Sequence, residues 1–384
     1  MGRGMPKRAD PTPGAPSSSE PVEERSARSR GPVPRLVQRS GPSTLVVSLP
    51  KAWVEKEGVR PGQAVAWVTG EDGELRLVPP ERRSGSAEPR AFQVRARHLV
   101  QRETAQRLLL SAYVLGYDRI RIEDEQGIDE EVRAATEQTA RELLGFTLTE
   151  GSSHVLVATS FLDPAAHPVA EVITRVGYTL DLFLERLETA LAEGSSKPLQ
   201  RIPEMRVEVR RLHALALRQL NLAVGDPRLA RQLGVLRPSH LLGSRVVAEL
   251  LDDIADAGEA VAGELSRLRK PPPTAREVLT DLKDRVAALR TLLRTALGAL
   301  RSERTLEAEE ALAHRREAIE ELLRTEARLR RMPGGGEVRH SLSLCSWWVG
   351  VARQQAMSIA EIAFTRSLAR SPPFLDLGHD RDHD

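Results

Sequence analysis

The chain has 384 residues, of which 40% are hydrophobic, and this content excludes disorder over the whole chain. Only 3% of the residues are aromatic, so the cores must consist of Leu, Val, Ile and Ala, which favours helix bundles over β-sandwiches. The 56 basic and 54 acidic residues give a net charge of +2, so any contact with DNA must be local.

Cysteine usage and hydropathy predict a cytoplasmic protein. The single Cys345 excludes an intramolecular disulfide and any multi-cysteine metal centre. No apolar segment follows the basic N-terminus, as a secretory signal requires. The apolar-leaning stretch 341–352 is shorter than the ~20 residues of a membrane span, so we expect no stable membrane insertion.

The first part of the chain predicts a tail and a small β-rich domain. Residues 1–33 are rich in Pro, Ser, Gly and Arg, which predicts a disordered tail. Residues 34–80 predict two short strands, a helix from Pro50 to Gly58 and a closing hairpin around 71–73. So small a domain is marginally stable alone, and dimerisation would supply the missing core.

A second domain is predicted at 91–162, after a polar linker at 81–90. Strand and helix patterns alternate there, which is typical of a small α/β domain, and Gly116 and Gly145 stand where helices end. No glycine-rich loop connects a strand to a helix, so nothing indicates a nucleotide site.

Helical periodicity covers the rest of the chain. Residues 164–270 and 274–370 each predict three long helices, separated by the proline run at 271–273. This pattern indicates an internal duplication of a three-helix bundle. Ser239 and the Thr274–Glu277 capping box predict two helix starts, and residues 371–384 predict a disordered tail.

The motifs of common enzymes are missing, so we expect no catalysis. The chain has no P-loop, no Gly-x-Ser-x-Gly and no His-Glu-x-x-His sequence. One Glu-x-x-His match, Glu337 to His340, falls short of the pair that a di-iron bundle needs. Cys345 is predicted to be a core thiol, because no third group orients it with His340. The terminal acids and histidines favour a solvated tail over a metal site; they are His379, Asp380, Asp382 and His383.

An acidic cluster on the third helix of the first bundle is the main candidate for a cation site. Asp252 and Asp256 are four residues apart and Glu259 lies one turn further, so the three carboxylates share a helix face. A divalent metal or iron would relieve their repulsion, although no cofactor is certain. The alternative is an ordinary solvated helix face.

Residues 35–79 resemble the SpoVT/AbrB DNA-binding domain. The likeness lies in a basic first strand, a strand ending in Leu-Pro, a short helix ending in Gly, a Pro-Gly-Gln turn and a closing hairpin. The resemblance implies a swapped-hairpin barrel built by a homodimer. It also implies that Arg35, Gln38, Arg39 and Lys51 face DNA, where such side chains neutralise phosphates or read base edges. The alternative is that these four residues are ordinary charged or polar surface residues that do not contact DNA.

Residues 164–370 resemble the PhoU family, whose members carry two tandem three-helix bundles. The sequence Leu-Asp-Asp-Ile-Ala-Asp at 251–256 is similar to that family's metal motif, which implies Asp252 and Asp256 as ligands. The second repeat has Gly350 and Gln354 at the equivalent positions, so at most one metal cluster is expected. Arg210 also stands where the family often has Asp, and its charge would oppose a cation.

Together the resemblances predict a mainly α protein with a small N-terminal β domain. The implied function is a DNA-binding transcription regulator linked to phosphate uptake and phosphate homeostasis, with the bundles used for sensing or docking. The alternative is an adaptor that does not bind DNA and docks on a phosphate transporter or sensor kinase.

Overall fold

The computed structural model describes residues 34–69, 75–78, 89–99, 101–235, 237–268, 271–313, 315–333 and 336–368. The predicted tails 1–33 and 371–384 and the turn at 71–73 lie outside these ranges. The chain divides into two compact units, Met1–Ala87 and Glu88–Asp384, which we describe separately.

In its described residues, the N-terminal unit has two separate antiparallel hairpins and one helix. β1 (Val37–Arg39) pairs with β2 (Leu45–Val47), and β3 (Ala66–Thr69) pairs with β4 (Leu75–Val78). The helix α1 (Lys51–Glu57) lies between the hairpins in sequence. It ends at Gly58, whose φ of 65° is the left-handed conformation that a helix terminus favours.

The second unit begins with a four-stranded sheet and two helices. The sheet order is β5-β6-β8-β7, with β5 and β6 parallel and the other pairs antiparallel. Its elements are β5 (Ala91–Arg95), α2 (Arg102–Val114), β6 (Arg119–Glu123), α3 (Glu130–Glu142), β7 (Phe146–Gly151) and β8 (Val155–Ser160). Gly116 and Gly145 have φ values of 85° and 72°, as their predicted positions at helix ends require.

Eight helices follow in the described residues after 168. They are α4 (Val169–Glu193), α5 (Ile202–Gly225), α6 (Pro227–Gln232), α7 (Pro238–Arg267), α8 (Arg276–Ser302), α9 (Thr305–Ala313), α10 (Arg315–Arg331) and α11 (Gly336–Leu368). The predicted start of α7 near Pro238 is confirmed, but its N-cap is Arg237 and not Ser239. The predicted capping box at Thr274 is wrong, because α8 begins at Arg276 with Ala275 at its N-cap, after a 3-10 turn that contains Thr274.

The apolar stripe predicted on α4 is confirmed. All nine of its residues are buried: Val169, Val172, Ile173, Val176, Leu180, Phe183, Leu184, Leu187 and Leu191. α4 contacts α5, α7 and α8, while α11 contacts α7, α8, α9 and α10. One hydrophobic core therefore runs through the helices on both sides of the proline break.

A buried arginine joins the sheet region to the helices. Arg218 of α5 is fully buried, and its Nη1 donates to the carbonyl oxygens of Tyr113 at 2.7 Å and Tyr117 at 2.8 Å. Its Nη2 donates to Asp118 at 2.8 Å, and the guanidinium lies 5.0 Å from the Tyr113 ring centroid. Because these groups satisfy most of its donors, the guanidinium is held at this junction.

The described chain is mainly helical, with a small N-terminal β region. Among the described residues, no helix is both long enough and apolar enough to cross a membrane.

Candidate nucleic-acid interface and acidic cluster

The N-terminal unit has no core of its own among its described residues. None of those whose exposure is defined is buried, although the strands carry Leu and Val. The exposed apolar side chains, with their exposed fractions, are Leu36 (84%), Val37 (63%), Leu45 (65%), Val46 (42%), Val47 (39%), Trp67 (52%) and Leu75 (65%). So much exposed apolar surface on two short hairpins is typical of an association surface.

The four residues predicted to face DNA are all exposed in this unit. Gln38 and Arg39 are neighbours on β1, so their side chains leave opposite faces of the strand. Lys51 is the first residue of α1, and its Nζ lies 3.7 Å from Oε1 of Glu55. Because both side chains are exposed, breaking this ion pair costs little free energy. Arg39 donates to the Pro42 carbonyl at 3.2 Å, and Arg35 precedes β1.

Arg39 on β1 and Lys51 at the start of α1 are therefore positive charges that are exposed to solvent. Arg and Lys in such positions can exchange water for phosphate oxygens at small cost, because neither is held by a buried carboxylate. The opposite direction of Gln38 means that a single strand face does not present all the predicted residues.

The acidic cluster on α7 is held by a buried arginine of α5. Arg206 is 3% exposed, and its Nη1 donates to Asp252 at 2.8 Å. Its Nε and Nη2 donate to one oxygen of Asp256 at 2.8 and 2.5 Å. Its Nε also lies 3.8 Å from Oε2 of Glu259. Burial alone lowers the pKa of Arg206, but Asp252 and Asp256 outweigh it and leave the pKa raised.

Other polar residues of α5 and α7 extend the acidic cluster. His213 of α5 lies 3.1 Å from Glu249 and 3.7 Å from Asp252. Asp253 follows Asp252 on α7 and accepts a hydrogen bond from Gln355 of α11 at 3.4 Å. Its partial burial, and then the charges of Asp252 and Asp256, raise its pKa.

The carboxylates as arranged fit a guanidinium rather than a metal ion. Arg206 already directs three nitrogen atoms at Asp252 and Asp256, so the space between these two carboxylates contains a permanent cation. In the described part of the chain, no three His, Cys, Asp or Glu side chains are placed to hold a metal. Metal binding at Asp252 and Asp256 stays a prediction, with the condition that the ion displaces Arg206.

The arginine that contacts Asp252 and Asp256 is Arg206 and not Arg210, which the sequence analysis named. Arg210 is exposed, whereas Arg206, one turn earlier, is buried. A sequence signal for Arg206 exists: it lies four residues after Ile202 and three before Val209, both of which are buried on the apolar face of α5. A basic residue at such a position requires an acidic partner on a neighbouring helix.

An arginine also occupies the corresponding region of the second helix group. Arg285 of α8 is 3% exposed and donates to the Oγ and carbonyl oxygen of Ser346 on α11, at 2.8 and 2.9 Å. Its Nη2 lies 3.6 Å from the position of a Cβ built on Gly350, while Gln354 is exposed. Burial, and then repulsion from Arg353, lower the pKa of Arg285 to about 10.

The remaining candidates do not form a site together. Cys345 is fully buried, its Sγ lies 3.9 Å from the Val261 carbonyl oxygen, and burial raises the pKa of the thiol to about 12. Glu337 and His340 are both exposed at the start of α11. The terminal residues His379, Asp380, Asp382 and His383 lie outside the described residues.

Comparison with protein families matches residues 38–85 to the family described as "Antidote-toxin recognition MazE, bacterial antitoxin". No curated protein and no solved structure matches the chain. The matched range begins within β1 and includes β2, α1, β3 and β4, the elements on which the resemblance to SpoVT/AbrB rests. Residues 38–85 are thus similar to MazE/AbrB-like domains, a family with a swapped-hairpin fold.

Proposed function

We propose that the protein is a homodimeric, DNA-binding transcription regulator whose N-terminal unit both dimerises and contacts DNA. The observation that carries the proposal is the family match at 38–85 on a unit with apolar strands and no buried residue among those described. MazE/AbrB-like domains typically dimerise and bind DNA, which is consistent with both features.

Dimerisation follows from the physical chemistry of the two hairpins. Each is a two-stranded sheet, which is marginally stable in water unless more strands or a helix cover it. Leu36 and Leu45 are more than half exposed in the single chain. Exchange of hairpins between two chains would bury these side chains and pair the free strand edges at the same time.

DNA contact follows from the basic residues that this unit leaves in water. Arg35, Arg39 and Lys51 supply the positive charge, and a dimer would present each of them twice. Their role is to bind phosphates, and Gln38 or Arg39 supplies the hydrogen bonds that distinguish bases.

The role of the helical unit rests on its sequence resemblance to PhoU. In this proposal the helices after 168 form two tandem three-helix bundles that sense a signal or dock a partner, and the regulated genes serve phosphate uptake. The protein acts in the cytoplasm, where its single buried thiol suits a reducing compartment. The Arg206 network then holds the first bundle without a metal ion.

A second candidate keeps the N-terminal unit for assembly only. In that case the protein is an adaptor for a phosphate transporter or sensor kinase, and the four polar residues are a solvated rim. The matched family is described by toxin recognition, which likewise places protein contacts on this kind of domain. Capture of genomic DNA fragments by the purified full chain separates the two. Enrichment of a defined set of fragments supports the regulator, and uniform recovery equal to that of a blank resin supports the adaptor.

Dimerisation through the hairpins gives a sharper test. Leu45→Asp together with Val47→Asp changes two exposed side chains on one face of β2, so a monomer would tolerate the change. We expect the full chain to sediment as a dimer and the double variant to dissociate. Leu306→Asp, at a residue of α9 that is 72% exposed, is the matched control and should remain dimeric. Dissociation by the control alone would place the interface on the helical unit.

A further inference from the structure

A cavity of about 430 Å³ opens on the helical unit, away from the acidic cluster. It lies between α4, α8, the chain that leads into α7 and the last turns of α11. Most of its walls are apolar: Val169, Ile173, Val235, Leu293, Leu297 and Leu300. Its size falls within the range of about 300–1,000 Å³ that is typical of small-molecule sites.

The charged residues at this cavity are mostly basic. Arg294, Arg301 and Arg366 line it, against one acid, Asp181. Asp181 accepts hydrogen bonds from Arg294 at 2.5 and 2.7 Å and from Arg290 at 2.9 and 3.1 Å. Burial raises the pKa of Asp181, but these arginines outweigh it and hold the pKa below its usual value. The acid is therefore neutralised by its own neighbours.

Arg301 differs from the other two arginines. Arg366 donates to Glu303 at 2.9 Å, and Arg294 is committed to Asp181. Arg301 is exposed on the rim and has no hydrogen bond or ion pair to any residue that the structure describes. An apolar cavity with an uncommitted guanidinium at its rim has the chemistry to bind an apolar molecule that ends in an anion.

We propose that this cavity binds a small amphiphilic carboxylate, with its apolar body against the Leu and Val walls and its carboxylate at Arg301. The aliphatic walls suit an alkyl chain, since they offer apolar contact area. The other polar side chains in the lining are Thr174, Tyr178, His240 and Ser244. The site is separate from the acidic cluster on α7, and the inference does not rest on DNA binding by the N-terminal unit.

Gly298 provides a direct way to close the cavity. It lies on α8 in the cavity lining, and a Cβ built there meets no atom within 4 Å. A larger side chain at this position would therefore extend into open space rather than into the core. Gly263 of α7 is a matched control: a Cβ there also meets nothing within 4 Å, the residue is exposed, and it does not line the cavity.

The test is calorimetric titration of the full chain with octanoate, and with 1-octanol as the neutral analogue. We expect one octanoate per chain with a dissociation constant of about 1 mM or tighter, and weaker binding of 1-octanol. Gly298→Leu should weaken octanoate at least about tenfold, while Gly263→Leu should not change it. Absence of octanoate binding, or equal binding by the Gly298→Leu variant, would overturn the proposal.

The role of Arg301 is tested separately from the cavity. Arg301→Gln should weaken octanoate by about tenfold and leave 1-octanol unchanged, and Arg301→Lys should recover part of the loss because it restores the charge. Equal loss for both ligands would mean that the side chain acts through packing, and it would overturn the assignment of the carboxylate to Arg301.

Discussion

At the scale of single residues, Arg206 lies between the two carboxylates that were predicted to bind a metal. Asp252 and Asp256 have the helical spacing that suits a bridging cation, and Arg206 supplies a cation covalently attached to α5. A guanidinium is planar and cannot lose its charge at neutral pH, so the ion pair persists without metal supply. Arg206 therefore neutralises the two carboxylates without a metal, and a metal ion would have to displace it.

Replacement of Arg206 by Met should destabilise the protein by roughly 2–4 kcal/mol, because it leaves two close carboxylates without their counter-charge. Arg210→Met, one turn later on the exposed face of α5, should change the stability by less than about 0.5 kcal/mol. Urea unfolding of both variants measures the difference. Equal, small effects would show that the buried ion pair contributes little.

The same substitution should create a metal site. With Arg206 absent, Asp252 and Asp256 regain free oxygens, so Mn²⁺ should raise the melting temperature of Arg206→Met but not that of the natural protein. If Mn²⁺ stabilises the natural protein equally, the acidic cluster accepts a metal despite Arg206, and the ligand prediction for Asp252 and Asp256 stands.

Tyr113 gives a prediction for the pH dependence of stability. Burial raises its pKa to about 12, and its hydroxyl donates to the Leu144 carbonyl at 2.9 Å. The unfolded chain loses the proton near pH 10 while the folded chain keeps it, so stability should fall as the pH rises from about 10 to 12. Tyr113→Phe should flatten this fall and cost about 1 kcal/mol at neutral pH. An unchanged slope between pH 10 and 12 would contradict the assignment.

At the scale of elements, close approach between helices depends on two glycines. A Cβ on Gly258 of α7 would lie 2.6 Å from the Phe183 ring of α4, and one on Gly177 would lie 2.4 Å from Leu297 of α8. Such distances are too short for a side chain, so α4 packs against both neighbours through these positions.

Gly258→Ala should destabilise the protein by roughly 1–3 kcal/mol, since the buried Phe183 ring has no free space to move into. Gly263→Ala lies on the same helix with open space around it, and should stabilise by up to about 1 kcal/mol through helix propensity. Thermal unfolding of the pair compares the same chemical change in two environments. Stabilisation by both would show that α4 and α7 pack less closely than described.

Local sequence patterns predicted the helices and strands, but they did not predict which residues of different helices contact one another. The α4 stripe and the left-handed Gly116 and Gly145 follow from neighbouring residues, so periodicity and turn chemistry identified them. Arg206 and Asp252 are 46 positions apart, and no local pattern reveals which helices meet. The cavity rim was missed for the same reason, because Arg301 and Arg366 lie on different helices.

At the scale of the whole molecule, the central claim is that the MazE/AbrB-like unit binds DNA. The claim depends on charge, so its signature is the effect of salt. Each phosphate that a basic residue binds adds roughly 0.9 to the slope of log affinity against log salt concentration.

The most direct measurement is the salt dependence of DNA binding by the full chain and by its Arg35→Ala, Arg39→Ala, Lys51→Ala triple variant. Fluorescence anisotropy with a captured fragment gives both affinities, and Arg324→Ala on the exposed side of α10 is the control. We predict weaker binding and a flatter slope for the triple variant, by roughly one unit for each phosphate that the variant no longer binds, and no change for the control. Unchanged affinity and slope in a folded triple variant would contradict DNA binding by these residues.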